Sequence, residues 1–289
     1  MRVSVFRAAV GLLYVVSLVG IGWLLARGSS FYLTPLGERG HHPGYWDWKS
    51  GGHVGHRLGV VGSGMMVVML AYSLRKRVKA LRKLGPLGRW LDVHIFLGVV
   101  GPLLVILHSA FKVQGLVALS FWSMIAVALS GVLGRYLYLQ IPRSRAGEEL
   151  TLAELQKLDR ALSERLRREY HLDERLLARL EALSAPPAAH RGLLLGLMGL
   201  LVGDLAHGRR LRAFARACRG VPRGVFRQFE RVLREKAQSH RRLLLWHRVH
   251  ELFHYWHVVH KPFAVVMYLF MLVHVAVAVV TGYGWLGSS

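Results

Sequence analysis

The stretch LDVHIFLGVVGPLLVILHSAF, from Leu91 to Phe111, carries two histidines in an otherwise largely apolar run. It is about as long as the twenty residues that an α-helix needs to cross a hydrocarbon core of roughly 30 Å. His94 and His108 are fourteen residues apart, a spacing that turns a helix through almost four turns and climbs about 21 Å. Both histidines are therefore expected on one helix face, near opposite sides of a membrane.

Four further apolar runs have a similar length, at residues 3–25, 54–74, 115–137 and 262–280. Hydrophobic residues make up 53% of the 289 residues, and the mean hydropathy of +0.33 is typical of membrane proteins. We predict an all-α integral membrane protein with about five transmembrane helices in a bundle. The first run has the basic start of a signal peptide, but its length and the poor cleavage site at residues 25–27 favour a retained helix.

The formal charge of +23 is concentrated between these runs, so it indicates membrane topology and not nucleic-acid binding. The link between the second and third runs has no acidic residue among its basic ones, which are Arg75, Lys76, Arg77, Lys79, Arg82, Lys83 and Arg89. By the positive-inside rule this link is cytoplasmic. The prediction is a multi-pass protein of the plasma (inner) membrane, surrounded by lipid, with its N-terminus inside and its C-terminus outside.

The sequence divides into three parts: residues 1–140 with spans one to four, a cytosolic helical insert at 141–259, and residues 260–289 with the fifth span. Within the insert, Thr151 and Glu154 have the spacing of a capping box. A second helix is predicted at residues 172–183. The apolar run 192–202 is too short to span, so we expect a buried or membrane-surface helix there. The single cysteine, Cys218, excludes an internal disulfide, a cysteine-ligated cluster and covalent c-type haem.

The fifth run, PFAVVMYLFMLVHVAVAVV (residues 262–280), contains His274, and His260 precedes it by the same fourteen residues. Spans three and five run in parallel, so His94 is expected level with His260 and His108 with His274. Imidazoles from facing helices are axial ligands of haem iron. The pattern predicts two non-covalent b-type haems, one for each pair. The alternatives are zinc or another metal, or histidines that bind no metal.

This arrangement resembles the haem-carrying membrane core of ferric-reductase-like cytochromes b and NADPH oxidases, whose third and fifth helices carry histidine pairs thirteen or fourteen residues apart. It is also similar to the respiratory cytochrome b of quinol-oxidising complexes. The resemblance rests on the four histidines and on the order of the spans. It implies that His94, His108, His260 and His274 are axial haem ligands, and that the chain passes electrons across the membrane.

Two features depart from the reductases. The reductases carry a flavin and nicotinamide domain, whereas the insert of this chain lacks the Gly-x-Gly-x-x-Gly turn after a strand that marks such a domain. In the reductases a short link joins the fourth and fifth spans, but here residues 142–259 lie between them. We expect an electron-transfer subunit of a larger oxidoreductase, quinol-linked or ferric-type, served by redox partner proteins. Quinone is a further candidate ligand. A histidine-lined metal transporter without haem and a membrane scaffold are the alternatives.

Basic residues at the ends of spans are candidates for holding anionic haem propionates. Arg57 lies at the outer edge of span two and Arg135 at the inner edge of span four. Arg89 and Lys261 are further candidates. All four residues could instead serve only to anchor the ends of the spans at the membrane surface. Pairs of glycines in the spans would let either a flat haem macrocycle or a neighbouring helix approach the backbone closely. These are Gly59, Gly62, Gly98, Gly101, Gly131 and Gly134.

Other histidines leave more than one interpretation open. His53 and His56 begin span two. The alternatives for them are solvated interfacial residues, proton donors, part of a quinol site, or a replacement for His108 as a ligand. A stripe before span five shares one helix face. It comprises His240, His247, His250, His254 and His257. A packed interfacial stripe is favoured over a proton relay, a metal site or a docking face. His257 lies about 100° off the ligand face, which leaves His260 as the ligand.

Overall fold

The computed structural model describes residues 2–142, 149–185, 207–218 and 224–282. In these ranges the chain forms helices joined by turns. The helices are α1 (Arg2–Leu33), α2 (Tyr45–Trp48), α3 (His53–Arg77), α4 (Leu87–His108), α5 (Gly115–Gln140), α6 (Leu152–Tyr170), α7 (Glu174–Ser184), α8 (residues 207–217) and α9 (Phe226–Val280). Two 3₁₀ turns, Arg39–His41 and Lys79–Lys83, lie between them. The predicted run at residues 192–202 lies outside the described ranges.

Five stretches are long and apolar enough to cross a bilayer: Val5–Leu33, Tyr45–Arg77, Leu87–His108, Val117–Gln140 and Phe226–Val280. Their large apolar side chains are mostly exposed, a distribution that suits a lipid environment and not water. The all-α class and the five spans are confirmed, and they fit a multi-pass membrane protein. The third span, α4, ends at His108, three residues before the predicted end at Phe111, because Ala110 and Phe111 adopt left-handed φ angles of 47° and 59°.

By its internal contacts the chain forms two units, Met1–Leu133 with His257–Ser289, and Gly134–Trp256. The sequence-based boundaries were residues 140 and 260. The first unit holds α1 to α4, most of α5 and the C-terminal part of α9. The second holds the last residues of α5, helices α6 to α8 and the N-terminal part of α9. Helix α9 continues without a break past residue 260, although Pro262 lies inside it.

In the first unit, α3 and α4 approach so closely that side chains would not fit between them. A Cβ on Gly62 would lie 3.0 Å from the carbonyl oxygen of Gly101, and one on Gly101 would lie 3.2 Å from the carbonyl oxygen of Gly62. Small residues permit this approach in membrane-type helices. Of the two interpretations of these glycines, helix packing therefore applies to this pair.

Between the two levels of histidines, methionines fill the interior. Met66, Met124, Met267 and Met271 pack with Val127 in one buried cluster. Two hydrogen bonds attach the helices to one another at this level. Tyr268 Oη donates to the carbonyl of Met66 at 2.6 Å, and Ser120 Oγ donates to the carbonyl of Met267 at 3.1 Å. Helix α9 is thereby connected to α3 and α5 midway between His260 and His274.

A buried arginine in the α1–α2 connection stabilises the turn after α4. The Arg39 guanidinium donates to three backbone carbonyls, those of Thr34 at 2.8 Å, of Tyr32 at 2.7 Å and of Ala110. A buried guanidinium requires such acceptors because an unsatisfied charged donor is costly. Apart from the Arg39–His41 turn, the connection between α1 and α2 is irregular.

The second unit contains the helices predicted for the insert, and they share an apolar core. Helix α6 begins with the predicted capping box: Glu154 N–H donates to Thr151 Oγ1 at 3.2 Å and Thr151 N–H donates to the Glu154 carboxylate at 2.7 Å. Helix α7, at Glu174–Ser184, agrees with the predicted helix at 172–183. Leu166, Leu180 and Phe229 are fully or almost fully buried in the core that α6, α7, α8 and α9 share.

Candidate functional site

Two of the predicted ligands lie on α4, and the backbone of α3 fixes their rings. Nδ1 of His94 is 3.1 Å from the carbonyl oxygen of Met69, and Nδ1 of His108 is 2.9 Å from the carbonyl oxygen of Gly55. Tyr72 packs beside the His94 ring, with ring centres 5.0 Å apart. Both histidines are half-buried. Their ring orientations therefore depend on how α3 packs against α4.

These carbonyl contacts determine the tautomer of both rings. A carbonyl oxygen only accepts hydrogen bonds, so Nδ1 of His94 and of His108 must carry the hydrogen. In a neutral imidazole the second nitrogen, Nε2, then has its lone pair available. A hydrogen bond from one ring nitrogen to a backbone carbonyl is the usual outer shell of a metal-ligating histidine. Both rings are thus set up to bind a metal through Nε2.

His260 on α9 reaches the same tautomer through a serine. Its Nδ1 is 2.7 Å from Ser130 Oγ, and Ser130 Oγ donates its hydrogen to the carbonyl of Val127 at 2.9 Å. Since the one hydroxyl hydrogen is used in that bond, Ser130 accepts from Nδ1–H of His260. In that tautomer the ring hydrogen of His260 lies on Nδ1 and not on Nε2.

The structure brings the four histidines together as two pairs at different levels of the bundle. The rings of His108 and His274 have their centres 6.3 Å apart with an interplanar angle of 59°. His94 and His260 are close enough for a charge on one ring to act on the other. The levels match those expected for parallel helices with equal fourteen-residue spacings.

The spacing of the His108–His274 pair fits a bound metal. One metal ion coordinated by two imidazoles, with bonds of about 2 Å, holds the ring centres about 6 Å apart. Among the described residues, three or more possible metal ligands within 4.8 Å of one another occur only at Asp159, Glu181 and His240, in the second unit. Two imidazoles alone do not complete the four-ligand shell of zinc. The donor set instead suits a metal that brings its own equatorial ligands, as haem iron does.

A glycine makes room for the His108 ring. A Cβ on Gly59 would lie 2.6 Å from Nδ1 and 2.7 Å from Cε1 of His108. The glycine is therefore required by an imidazole, and no approach of a macrocycle is needed to explain it. A Cβ on Gly98 would lie 3.1 Å from the sulfur of Met69, while no atom of the described residues lies within 4 Å of a Cβ on Gly131. In the second unit, the ring of Trp256 covers Gly134.

The arginines proposed for propionates have different surroundings. Arg57 is exposed in the first turns of α3. Arg135 belongs to the second unit, where its guanidinium lies 5.6 Å from the ring centre of Tyr138. Arg89 lies 5.4 Å from the ring centre of Phe6. A role with propionates stays a prediction for Arg57 and Arg135.

The remaining histidines mostly have local structural partners. Nδ1 of His53 is 3.1 Å from the Asp47 carboxylate, while His56 lies within electrostatic range of His108. In the stripe, Nε2 of His250 is 2.6 Å from the Glu149 carboxylate and its Nδ1 is 2.7 Å from the carbonyl of Trp246. His250 thus agrees with the interpretation of a packed stripe.

His240, also in the stripe, borders a buried ionic cluster in the second unit. The Lys236 ammonium, with no exposed side-chain surface, is 2.7 Å from Asp159 and 2.8 Å from Glu181. Burial pushes the pKa of Asp159 upward, but the nearby His240 and Lys236 outweigh it and hold that pKa below its usual range. Although the two carboxylates and His240 have the spacing of a metal site, the ammonium already provides the positive charge there.

Sequence reasoning identified the four histidines but missed what orients them. Ser130, a polar residue inside an apolar span, was the one available signal. The carbonyls of Gly55 and Met69 carry no sequence signal at all, because every residue has a carbonyl. No family model, no curated protein and no solved structure matches this chain. Inference about its function therefore depends on the geometry of the site.

Proposed function

We propose that this protein transfers electrons across a membrane through two b-type haems, as the cytochrome b subunit of a larger redox complex. The observation that carries the proposal is the shared contact of Nδ1 in His94, His108 and His260, which puts the ring hydrogen on Nδ1 and not on Nε2, at two levels that each offer two imidazoles. Haem held by these histidines would supply one-electron redox chemistry.

The roles of the residues follow from the pairing. His94 and His260 would hold one haem, and His108 and His274 the other. The carbonyls of α3 and the hydroxyl of Ser130 would fix the ring orientations and raise the basicity of the ligating nitrogens. With two histidines holding each haem, the site would favour electron transfer over binding of oxygen or substrate.

The basic link between α3 and α4 supports an orientation for the proposal. By the positive-inside rule, the basic residues of this link support a cytoplasmic side for the His94 end of α4 in a plasma (inner) membrane. His94 with His260 would then form the cytoplasmic-side site, and His108 with His274 the outer one. Redox partner proteins at the two faces, or quinol within the bilayer, would exchange electrons with these sites.

An absorption spectrum tests the proposal. Purified full-length protein, expressed with added haem precursor, should show b-type bands after dithionite reduction, and its haem content should be two per chain. Absence of haem would overturn the proposal. Stoichiometric zinc in a haem-free protein would instead support the metal transporter.

Single substitutions separate the two sites. His94→Ala and His274→Ala should each remove one haem and spare the other. His257→Ala, three residues before His260 on the same helix, is the matched control and should keep both. Retention of both haems in His94→Ala and in His274→Ala would refute the ligand assignment.

A further inference from the structure

Helix α8 carries a group of exposed arginines on the surface of the second unit. Its apolar residues Leu211, Phe214 and Ala215 are buried in the core of that unit. The exposed arginines, which we call the arginine face, are Arg209, Arg210, Arg212 and Arg216. We propose that the arginine face docks on a membrane surface that contains anionic lipids. The proposal does not depend on haem binding.

Acidic side chains do not neutralise the arginine face. Of the described residues, no carboxylate forms an ion pair with any of its four arginines. Two of them make local contacts: Arg212 Nε donates to the carbonyl of Gly208 at 3.1 Å, and Arg216 Nε donates to the carbonyl of Arg212 at 3.3 Å. A backbone carbonyl has no net charge, so these bonds leave the positive charge of the face in place.

The sequence around α8 adds no negative charge either. Residues 205–229 contain no aspartate and no glutamate. They contain seven arginines, which are Arg209, Arg210, Arg212, Arg216, Arg219, Arg223 and Arg227. A block of like charge without an opposite charge inside it is typical of segments that bind an oppositely charged partner.

Helix α6 of the same unit also carries exposed arginines, but there glutamates pair with them. The ion pairs are Arg165 with Glu169, Arg168 with Glu164, and Arg167 with Glu174. Exposed pairs of this kind cancel most of the local charge. The uncompensated charge is therefore specific to α8 among these two helices and is not a general property of the arginines in the second unit.

The position of α8 favours lipid over an acidic protein as the partner. Leu139 and Gln140 end the stretch Val117–Gln140, which is long and apolar enough to cross a membrane. The same two residues line a cavity together with Gly208 and Arg212 of α8. The end of a span is expected at the depth of the lipid headgroups. Clusters of basic residues beside a span bind anionic lipids.

Docking of this face would be electrostatic. The large apolar residues of α8 are already packed in the core of the second unit, so the helix offers the membrane charge and no large apolar side chain to insert. Each guanidinium presents a fork of donors that matches two oxygens of a lipid phosphate. Because exposed charges are screened by salt, high salt should release the face.

Ala213 provides a place for a probe within the arginine face. It is exposed and lies one helical turn from Arg209, Arg210 and Arg216. Cys218 is the only cysteine, so Cys218→Ala combined with Ala213→Cys allows a fluorophore to be attached at residue 213 alone. The labelled full-length protein is placed in nanodiscs of dioleoylphosphatidylcholine that contain or lack dioleoylphosphatidylglycerol. A trace of lipid with a quencher on its headgroup reports contact.

We expect strong quenching in discs with phosphatidylglycerol, weak quenching in discs without it, and reversal by about 0.5 M sodium chloride. The triple variant R209Q/R210Q/R216Q leaves Arg212 at the cavity and should lower the docking equilibrium constant at least about tenfold. The matched control R165Q/R167Q/R168Q removes the same number of exposed arginines from α6. This control should be quenched as strongly as the labelled protein without these substitutions.

Equal quenching in both kinds of disc, or an equal loss in the two triple variants, would overturn the proposal. An acidic protein is the competing partner. A probe that phosphatidylglycerol does not quench, but whose emission changes on addition of polyglutamate, would overturn lipid docking in its favour. If circular dichroism shows that the α8 variant is unfolded, the salt titration of the labelled protein decides, because quenching that salt does not reverse would contradict electrostatic docking.

Discussion

The hydroxyl of Ser130 accepts a hydrogen bond from Nδ1 of His260, over 2.7 Å, while it donates to the carbonyl of Val127. This contact favours the tautomer with the hydrogen on Nδ1 in a histidine 130 residues away in the chain. Ser130 makes this contact with its side chain, whereas the backbone of α3 contacts Nδ1 of His94 and of His108. Ser130 can therefore be removed without altering a backbone.

Ser130→Ala should weaken haem binding at the His94–His260 site and leave the His108–His274 site unchanged. Loss of an outer-shell partner typically weakens metal binding about 10- to 100-fold. Haem content at graded haem supply and the two midpoint potentials measure the effect. Ser120→Ala, on the same helix, removes a hydrogen bond to Met267 but touches no histidine, so both potentials should stay as in the native protein. A variant of Ser130 with native content and potentials would contradict the assigned role.

Gly59→Ala should abolish haem binding at the His108–His274 site. The added methyl group would lie 2.6 Å from Nδ1 of His108, so the ring must leave its hydrogen bond to Gly55 and its alignment with His274. Gly64→Ala is the control on the same helix, because nothing lies within 4 Å of a Cβ there. We expect one haem in the Gly59 variant and two in the Gly64 variant. Two haems in both would show that the His108 ring tolerates displacement.

Arg39→Lys should destabilise the first unit, because an ammonium cannot reach three carbonyls that a planar fork reaches together. Hydrogen bonds to charged groups contribute about 1.5–3 kcal/mol each, and we expect a loss of about 2–4 kcal/mol in unfolding free energy. Denaturant titration in detergent measures it. Arg27→Lys, whose exposed guanidinium lies 5.1 Å from the ring centre of Trp23, should change little. Equal losses in the two variants would rule out a specific role for Arg39.

Lys236→Met should destabilise the second unit and shift its acid unfolding to higher pH. The pKa of the Asp159 carboxyl is lowered in the folded protein, so its contribution to stability is present above the unfolded pKa of about 4 and is lost as the pH falls through the lower folded pKa. Without the ammonium, the folded pKa rises and the loss begins earlier. Circular dichroism against pH measures the shift. Lys157→Met removes an exposed lysine of α6 and should leave the midpoint unchanged; a native midpoint for Lys236→Met would contradict the prediction.

Chelation should not affect the second unit. The Lys236 ammonium lies within 2.8 Å of Asp159 and of Glu181, so these carboxylates have a cation without metal. We expect EDTA to leave Tm unchanged. A decrease in Tm that zinc restores would instead identify Asp159, Glu181 and His240 as a metal site.

The sequence by itself determined the helices. Hydrophobicity and helical periodicity are local properties, so the five spans, the capping box at Thr151 and the common face of His94 and His108 could be read from the order of residues. The end of α4 was placed three residues late, because the left-handed turn at Ala110 and Phe111 follows from backbone conformation and has no glycine to mark it.

Only the tertiary structure decided how these helices rotate and pack against one another. Packing fixed which atoms meet: Ser130 with His260, the Gly55 carbonyl with His108, and Arg39 with the carbonyl of Ala110. Contacts between residues far apart in the chain depend on the rotation of each helix about its axis and on its depth, and local sequence specifies neither. The positions of the histidines along their helices could therefore be predicted from sequence, whereas the groups that contact their rings could not.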